Sequence, residues 1–282
     1  MQTKEYIDDT LFHALQSFIE ETTGIYIPPT RKYLLEDRLR PVLRRNNIAT
    51  FSEYLSLLEK TQFSSKQELL DEFKDLVSTH ETSFFRHQTQ MNQFENNILL
   101  EYMSSIQSRS DKTITVWSAG CSTGEETYSI AMSMYTILHT KYSSWKIQIL
   151  GTDISSHVIE KAQQGIYSDY AIRNMPAIYR QYFTIQGSVC SIIPPIRSLV
   201  EFSVLNLKDS FAIRKLPTCD MIFCRNVLIY FKEDLMNTIV HSFYNKLVSG
   251  GLFFVGHSEN IRNTTAGFIP YSEGERMIYK KQ

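Results

Sequence analysis

At 282 residues and net charge −1, the chain has room for one large or two modest domains and no global charge to draw it to nucleic acid or an anionic membrane. Its 43% hydrophobic and 21% charged residues are those of an ordinary globular protein, and no apolar run approaches membrane-spanning length. Four cysteines, Cys121, Cys190, Cys219 and Cys224, show neither C-x-x-C spacing nor a histidine cluster beside them, which argues against zinc or a disulfide framework and for reduced thiols in the cytoplasm.

The N-terminus lacks the basic, apolar, small-residue pattern of a signal peptide. From Glu5 to about Thr79 the pattern is helical. Ile7, Leu11, Leu15, Phe18 and Ile19 recur at helical spacing until Gly24, and Ile25 to Pro29 forms a connector. A second helix starts at Pro29 or Thr30, with Tyr33, Leu34, Leu39 and Leu43 inward. A third runs from Phe51 with Thr50 as N-cap, and a fourth from about Lys66 to Leu76. Six basic residues lie between Arg31 and Arg45 (Arg31, Lys32, Arg38, Arg40, Arg44, Arg45) against Glu36 and Asp37. Such a face could hold an acidic partner, or be a solvated face paired with local acids such as Asp8, Asp9, Glu20 and Glu21; the pattern leaves both open.

Thr79 to Gln93 reads as a linker with unusual content: Phe84, Phe85 and Arg86 stand where a hinge would be bland. A segment joining two domains often lines the cleft between them. Phe94 to Ser105 resumes a helix. Ile114 to Trp117 is a buried strand, Ser118 to Gly124 a turn of small residues, and the segment after it an amphipathic helix with Tyr128, Ile130, Ala131 and Met134 inward. Strand, small turn and helix open a nucleotide-type βαβ unit. A helix N-terminus suits phosphate, but Glu125 and Glu126 occupy the first turn and the G-x-G-x-x-G spacing is absent. Both features disfavour NAD, FAD and ATP. They fit a phosphate-free adenosine cofactor with a positive sulfonium, S-adenosylmethionine; the plain alternative is that the two acids stabilise the helix dipole.

Trp145 to Asp153 is a second strand ending in an acid, the position that takes ribose hydroxyls in such folds. Ser155 to Gln164 and Met175 to Phe183 read as helices. Phe183 to Phe202 contains three short strands, set off by Gly187 and Pro194-Pro195, as an antiparallel excursion. Asp220 to Cys224 is a clean buried strand running into Arg225-Asn226-Val227-Leu228-Ile229-Tyr230-Phe231. Glu233 to Val248 is a helix stopped by Gly250-Gly251. Leu252 to Val255 is a strand followed by Gly256-His257-Ser258-Glu259, and a last strand pair involves Gly267 to Pro270 and Met277 to Lys280. His257 reads as a hydrogen-bonded structural histidine, Cys121 as a small residue that fits the turn, and His80 and His87 form no metal set.

In Thr82–Arg86, Trp117–Met132, Gly151–Ile154, Phe223–Phe231 and Gly256–Asn260 the chain resembles the CheR-type chemotaxis receptor glutamate O-methyltransferases, and Gly24–Leu58 is similar to that family's N-terminal domain. The resemblance implies an α/β, Rossmann-like class I methyltransferase domain over 94–282 with a small antiparallel β-subdomain inserted at 183–202. Before it would come an all-helical N-terminal domain over 1–78 and a linker over 79–93 that contributes to the cofactor cleft. It implies cofactor contacts from His80, Thr82, Arg86, Glu126, Asp153, Asn206, Leu207, Asn226 and Val227, with S-adenosyl-L-homocysteine as product. The family usually has an asparagine at the position of His80 and a proline at that of Thr127. The β-excursion is short beside members that dock on a receptor tail through it; its edge could still take a partner by strand addition.

The implied reaction is methylation of glutamate side chains on chemotaxis receptors, giving methyl esters in sensory adaptation. The acceptor, with pKa near ~4.3, is already ionised at neutral pH, so no general base or metal is required. Arg86, and after it Arg225, are the candidates to orient it, and Tyr230 to line its approach. The acidic partner of the Arg31–Arg45 helix would be the glutamate-rich cytoplasmic helix of a receptor. Two alternatives remain in the sequence: a methyltransferase for another protein or small molecule, and a signalling scaffold that binds the cofactor without turnover.

Overall fold

A computed structural model of the chain describes residues 6–61, 68–261, 264, 266–272 and 277–282. Four helices come first: α1 (Asp9–Thr23), α2 (Lys32–Arg45), α3 (Phe51–Thr61) and α4 (Glu68–Val77). Their starts follow local chemistry. Asp8 caps α1 by accepting from the Leu11 N–H at 2.7 Å. At α3, Thr50 accepts from the Glu53 N–H while Glu53 accepts from the Ala49 N–H, a capping-box-like pair shifted one residue outward. Lys66, the expected start of the fourth helix, lies outside the described residues. Leu15, Ile19, Leu39, Val42, Tyr54, Leu58 and Phe73 fill the core between the helices and are essentially inaccessible.

The expected linker becomes helical at Gln88. There α5 (Gln88–Gln93), a π turn (Phe94–Ile98) and α6 (Leu99–Ser105) run on without a break. The π turn inserts one extra residue per turn and shifts the face that Phe94 and Ile98 bury against the sheet.

The second half is built on β1 (Thr113–Ala119), α7 (Glu125–Lys141), β2 (Lys146–Asp153), α8 (Ser156–Gln164), β3 (Ile166–Ser168), α9 (Asp169–Ile172), β4 (Phe183–Gln186), β5 (Val189–Ile192), α10 (Pro194–Arg197), β6 (Val200–Val204), α11 (Ser210–Lys215), β7 (Cys219–Cys224), α12 (Glu233–Lys246), β8 (Leu247–Val255), β9 (Phe268–Pro270) and β10 (Ile278–Lys281). Seven strands form one sheet in the order β6-β2-β1-β7-β8-β10-β9. β6, β2, β1, β7 and β8 are parallel, and β10 runs antiparallel to both β8 and β9. Apolar runs such as Met221-Ile222-Phe223 are buried on both faces, as parallel strands require. This is a doubly wound, Rossmann-like architecture with an antiparallel strand near one edge.

The antiparallel excursion differs from expectation in its membership. The small sheet is β3-β5-β4, so its third strand is Ile166–Ser168, while Val200–Val204 belongs to the main sheet beside β2. Strand β3 has only three residues and gives no period to read. Pairing decides the place of β6, because Gly151 lets the Phe202 ring lie against the β2 backbone: a Cβ on Gly151 would stand 2.5 Å from that ring.

Candidate active site

The carboxyl ends of β1, β2 and β7 open onto a cleft of about 870 Å³, counted to its open mouth. Its walls come from both halves of the chain. Thr23 ends α1 and Ile25 follows it, Ser78, Thr79, Glu81, Thr82 and Arg86 follow α4, Gly120 to Ser122 and Glu126 come from the turn after β1 and the start of α7, Asp153 ends β2, and Leu205 to Leu207 lie beyond β6. Arg225, Asn226, Val227 and Tyr230 close the far side.

The turn after β1 determines what the cleft can hold. The N–H groups of Gly120 and Cys121 both donate to Thr152 O, at 2.8 and 2.9 Å. Ser122 N–H donates to Asp153 Oδ2 at 2.8 Å, and Gly124 N–H to Cys121 O at 3.0 Å. A loop that cradles phosphate needs free N–H groups at these positions, and here four are already used. Close approach remains possible because Gly120 has no side chain; its φ is +78° and a Cβ there would stand 2.4 Å from Val227 Cγ2.

The two glutamates of the first turn part company. Glu125 turns away, is buried, and accepts from Thr123 Oγ1 at 2.6 Å; burial raises its pKa. Glu126 alone faces the cleft. It accepts from Ser118 Oγ at 2.9 Å and pairs with Arg225 Nη1 at 2.9 Å. The charge argument from paired acids therefore rests on one residue, whose charge Arg225 offsets. Asp153 is held by Ser122 N–H and by Ser155 N–H at 3.1 Å, and desolvation in the cleft floor raises its pKa.

Thr82, Arg86, Asn206, Leu207, Asn226, Val227 and Tyr230 all line the cleft, as do Glu126, Asp153 and Arg225. Their duties differ from the sequence expectation in three places. The Arg225 side chain is 2% exposed and its terminal nitrogens serve Glu126 and Arg86 O, the latter at 2.6 Å. It is thereby engaged within the protein rather than open to an acceptor carboxylate. Asn206 donates to Thr22 O at 3.0 Å, tying the two halves together, and accepts from Lys208 N–H at 3.0 Å within its own loop, so both ends of its amide are engaged. His80 does not line the cleft. Its ring turns to Asp75, 2.9 Å from Asp75 O and 3.1 Å from Oδ1. Arg86 is half-buried, and one guanidinium nitrogen is anchored on Glu81 O at 2.9 Å. Tyr230 is fixed by its backbone: its N–H donates to Val227 O and its carbonyl accepts from Tyr26 N–H.

Glu259 was not singled out by the sequence. It is buried, and its carboxylate accepts from four N–H groups: Asn226 and Val227 at 2.8 Å, Leu228 at 2.7 Å and Gly256 at 2.6 Å. Burial raises its pKa against the pull of those bonds. It holds Asn226 at φ +62°, the left-handed conformation that asparagine tolerates better than other residues with a Cβ. An acid four residues past the end of a core strand, facing an Arg-Asn-Val loop, was the available signal. His257 is exposed and stacks on His87 with ring centroids 6.4 Å apart, so it is not a buried structural group. Cys121 is fully buried, and its thiol pKa is pushed well up, which makes it unreactive.

Among the described residues no cluster of three or more His, Cys, Asp or Glu side chains could hold a metal, and no helix is long and apolar enough to cross a membrane. Two buried atoms of cleft residues, Arg225 Nε and Asn226 Oδ1, lack a hydrogen-bond partner among the described residues. An acid at the end of β2, a second acid on α7, an arginine across the cleft and polar atoms awaiting partners form a donor set that suits an amino-acid-bearing nucleoside.

Comparison with known proteins agrees with this geometry. Residues 80–276 match the CheR methyltransferase SAM-binding domain, and residues 10–78 the CheR methyltransferase all-alpha domain. The chain is 36% identical to a chemotaxis protein methyltransferase of Borreliella burgdorferi, covering 85% of this chain and 84% of that one. It is 32% identical to chemotaxis protein methyltransferase 2 of Vibrio cholerae, over 93% and 89% of the two chains. It is also 32% identical to chemotaxis protein methyltransferase 1 of Pseudomonas aeruginosa, over 95% and 97%. A turn with four of its N–H groups already used, an acid at the end of the second strand and both domain matches lead to one assignment: the chain belongs to the CheR methyltransferase family.

Proposed function

We propose that this protein methylates glutamate side chains of chemotaxis receptors with S-adenosylmethionine, giving methyl esters. The observation that carries the cofactor half is the turn after β1, where the N–H groups of Gly120, Cys121, Ser122 and Gly124 are used internally, which favours a phosphate-free nucleoside. Asp153 would take the ribose hydroxyls, Glu126 the cofactor ammonium and Arg86 its carboxylate, with Val227, Leu207 and Asn206 packing the base. When bound, S-adenosylmethionine supplies an electrophilic methyl group on a sulfonium.

The chain's own contribution is placement. A glutamate carboxylate is ionised at neutral pH, so no residue has to remove a proton. The work is to hold one carboxylate oxygen in line at about 3–3.5 Å and to exclude water. Arg86 supplies the positive charge at the cleft wall. Arg225 acts through it, since its Nη2 fixes the Arg86 carbonyl and its Nη1 holds Glu126. Tyr230 borders both the cleft and a second groove of about 440 Å³ lined by Ile25, Pro28, Arg31, Leu34 and Thr79. That groove would carry the acceptor side chain inward.

The receptor helix would lie along α2, with a narrower set of cations than the sequence suggested. Arg38 caps the end of α4 by donating to Leu76 O and Ser78 O at 3.0 Å. Arg40 pairs with Glu36 at 3.6 Å and lies over the Phe51 ring. Arg31, Arg44 and Arg45 remain exposed, Arg45 beside Glu72. The test is transfer of tritiated methyl from S-adenosylmethionine to receptor-enriched membranes, followed by mild base. Base-labile label supports the reading; base-stable label, or none, refutes it.

A further inference from the structure

We propose that Asp75 and His80 form an interdomain clamp that positions the Asp153 carboxylate for the cofactor's ribose. The proposal rests on the reading of Asp153 given above. Each oxygen of Asp153 is held by a serine, and each serine is in turn held by this pair. On one side, Ser155 N–H donates to Asp153 Oδ1 at 3.1 Å, while Ser155 Oγ donates to Asp75 Oδ1 at 2.5 Å. On the other, Ser122 N–H donates to Asp153 Oδ2 at 2.8 Å, while Ser122 Oγ donates to His80 O at 3.0 Å. The His80 ring closes the loop on Asp75, with Nε2 at 3.1 Å from Oδ1 and 2.9 Å from the carbonyl.

Asp75 belongs to α4 of the helical domain, whereas Ser122, Asp153 and Ser155 belong to the methyltransferase domain. Ser155 is fully buried and also caps α8, accepting from Val158 N–H at 3.3 Å, so its hydroxyl has no freedom to follow Asp75 if that side chain moves. Thus the helical domain reaches the cofactor carboxylate through two hydrogen bonds on the Ser155 side and three, by way of His80, on the Ser122 side; loss of the Asp75–His80 contact frees the second arm and loosens the Asp75 carboxylate that anchors the first.

The clamp is sensitive to protonation. Burial alone would depress His80, and the hydrogen bonds with Asp75 outweigh it, leaving its pKa above the ordinary value. Asp75 is drawn down to about 2, chiefly by the same bond. The charged groups around the pair are Asp153 from β2, which favours the imidazolium, and His157 from α8, which acts on Asp75. Glu81, next in the chain, is exposed. A protonated His80 therefore favours the closed clamp, and deprotonation loosens it.

The experiment is calorimetric titration of the full chain with S-adenosylhomocysteine from about pH 6 to about pH 8.5, across the range where histidine changes charge. Kd of the unsubstituted protein should rise about three- to tenfold with pH, half to one pKa unit of coupling. His80→Asn, which still donates to Asp75 but does not titrate, should show no such rise, and Asp75→Asn should bind weakly at every pH. A flat profile in the unsubstituted protein, or an unchanged slope in His80→Asn, overturns the clamp. A second readout needs no ligand: the NMR titration midpoint of the His80 ring should fall in both Asp75→Asn and Asp153→Asn. If no protein binds S-adenosylhomocysteine at any pH, the reading of Asp153 has failed. The ring midpoint then decides the clamp alone, and a midpoint unmoved by either substitution overturns it.

Discussion

Gly120→Ala tests the geometry of the cleft at its tightest point. The added Cβ would stand 2.4 Å from Val227 Cγ2 and 3.1 Å from Cγ1. Val227 is β-branched and stiff at χ1, and its N–H is bound to Glu259 Oε1 at 2.8 Å, so it cannot simply withdraw. Two costs add. Holding alanine at φ +78° costs about 1–2 kcal/mol. Overpacking against Val227 costs a further ~1–3 kcal/mol. Urea denaturation should therefore show a loss of about 2–5 kcal/mol. The displaced Val227 moves toward the space meant for the cofactor. Kd for S-adenosylhomocysteine should rise about tenfold or more, since ~1.4 kcal/mol suffices for that. Adding Val227→Ala removes the clash but leaves the backbone cost, so the double variant should be more stable than the sum of the singles by about 1–3 kcal/mol. Strict additivity, or a Gly120→Ala protein with unchanged stability and affinity, would refute the reasoning.

Arg225→Met leaves Glu126, whose side chain is 13% exposed, without its cation; the loss in denaturant should be about 3–5 kcal/mol. Adding Glu126→Gln should restore most of that stability but not cofactor affinity, and a failure to restore it would show that the pair is not the cause. Glu259→Gln strands at least two of the four N–H groups it now serves, at a cost of about 2–4 kcal/mol in the same assay. The Asp75–His80 pair should add stability only inside a pH window. Its acid edge follows Asp75, whose share fades as pH falls from the unfolded value near 3.8 toward about 2. Its alkaline edge follows His80, whose share is full below the unfolded value near 6.5 and fades as pH rises through the higher folded value. Thermal melts of His80→Asn should lack the alkaline edge. Charge reversal at Arg31 and Arg44 together should raise KM for receptor membranes and leave Kd for S-adenosylhomocysteine alone; an unchanged KM would dismiss α2 as the docking face.

Much of the site could be read from the sequence because its frame is local. Ile114 to Trp117, the small turn and Glu126 sit within one βα unit, and Asp153 is found by counting to the end of the next strand. The Arg225–Tyr230 run follows a strand that is apolar throughout. What escaped depends on partners far away in the chain. Nothing local distinguishes Glu125 from Glu126; the difference is that one finds Thr123 and the other Arg225, 99 residues on. His80 was expected at the cofactor because it stands where the family usually has an asparagine, but Asp75 draws the ring away. Glu259 stands within the Gly256–Asn260 motif without a role of its own, because its four N–H partners come together only once β7 and β8 are paired. The third strand of the small sheet was missed for the same reason. Ile166–Ser168 is too short to show a period, whereas Val200–Val204 has the pattern of a strand without revealing which sheet it joins.

The most direct test of the central claim is a parallel calorimetric titration of the intact protein with S-adenosylhomocysteine and with ATP. We expect saturable binding of S-adenosylhomocysteine that Asp153→Asn weakens severely, and no binding of ATP. Tight ATP binding, or S-adenosylhomocysteine binding indifferent to Asp153→Asn, would contradict the account.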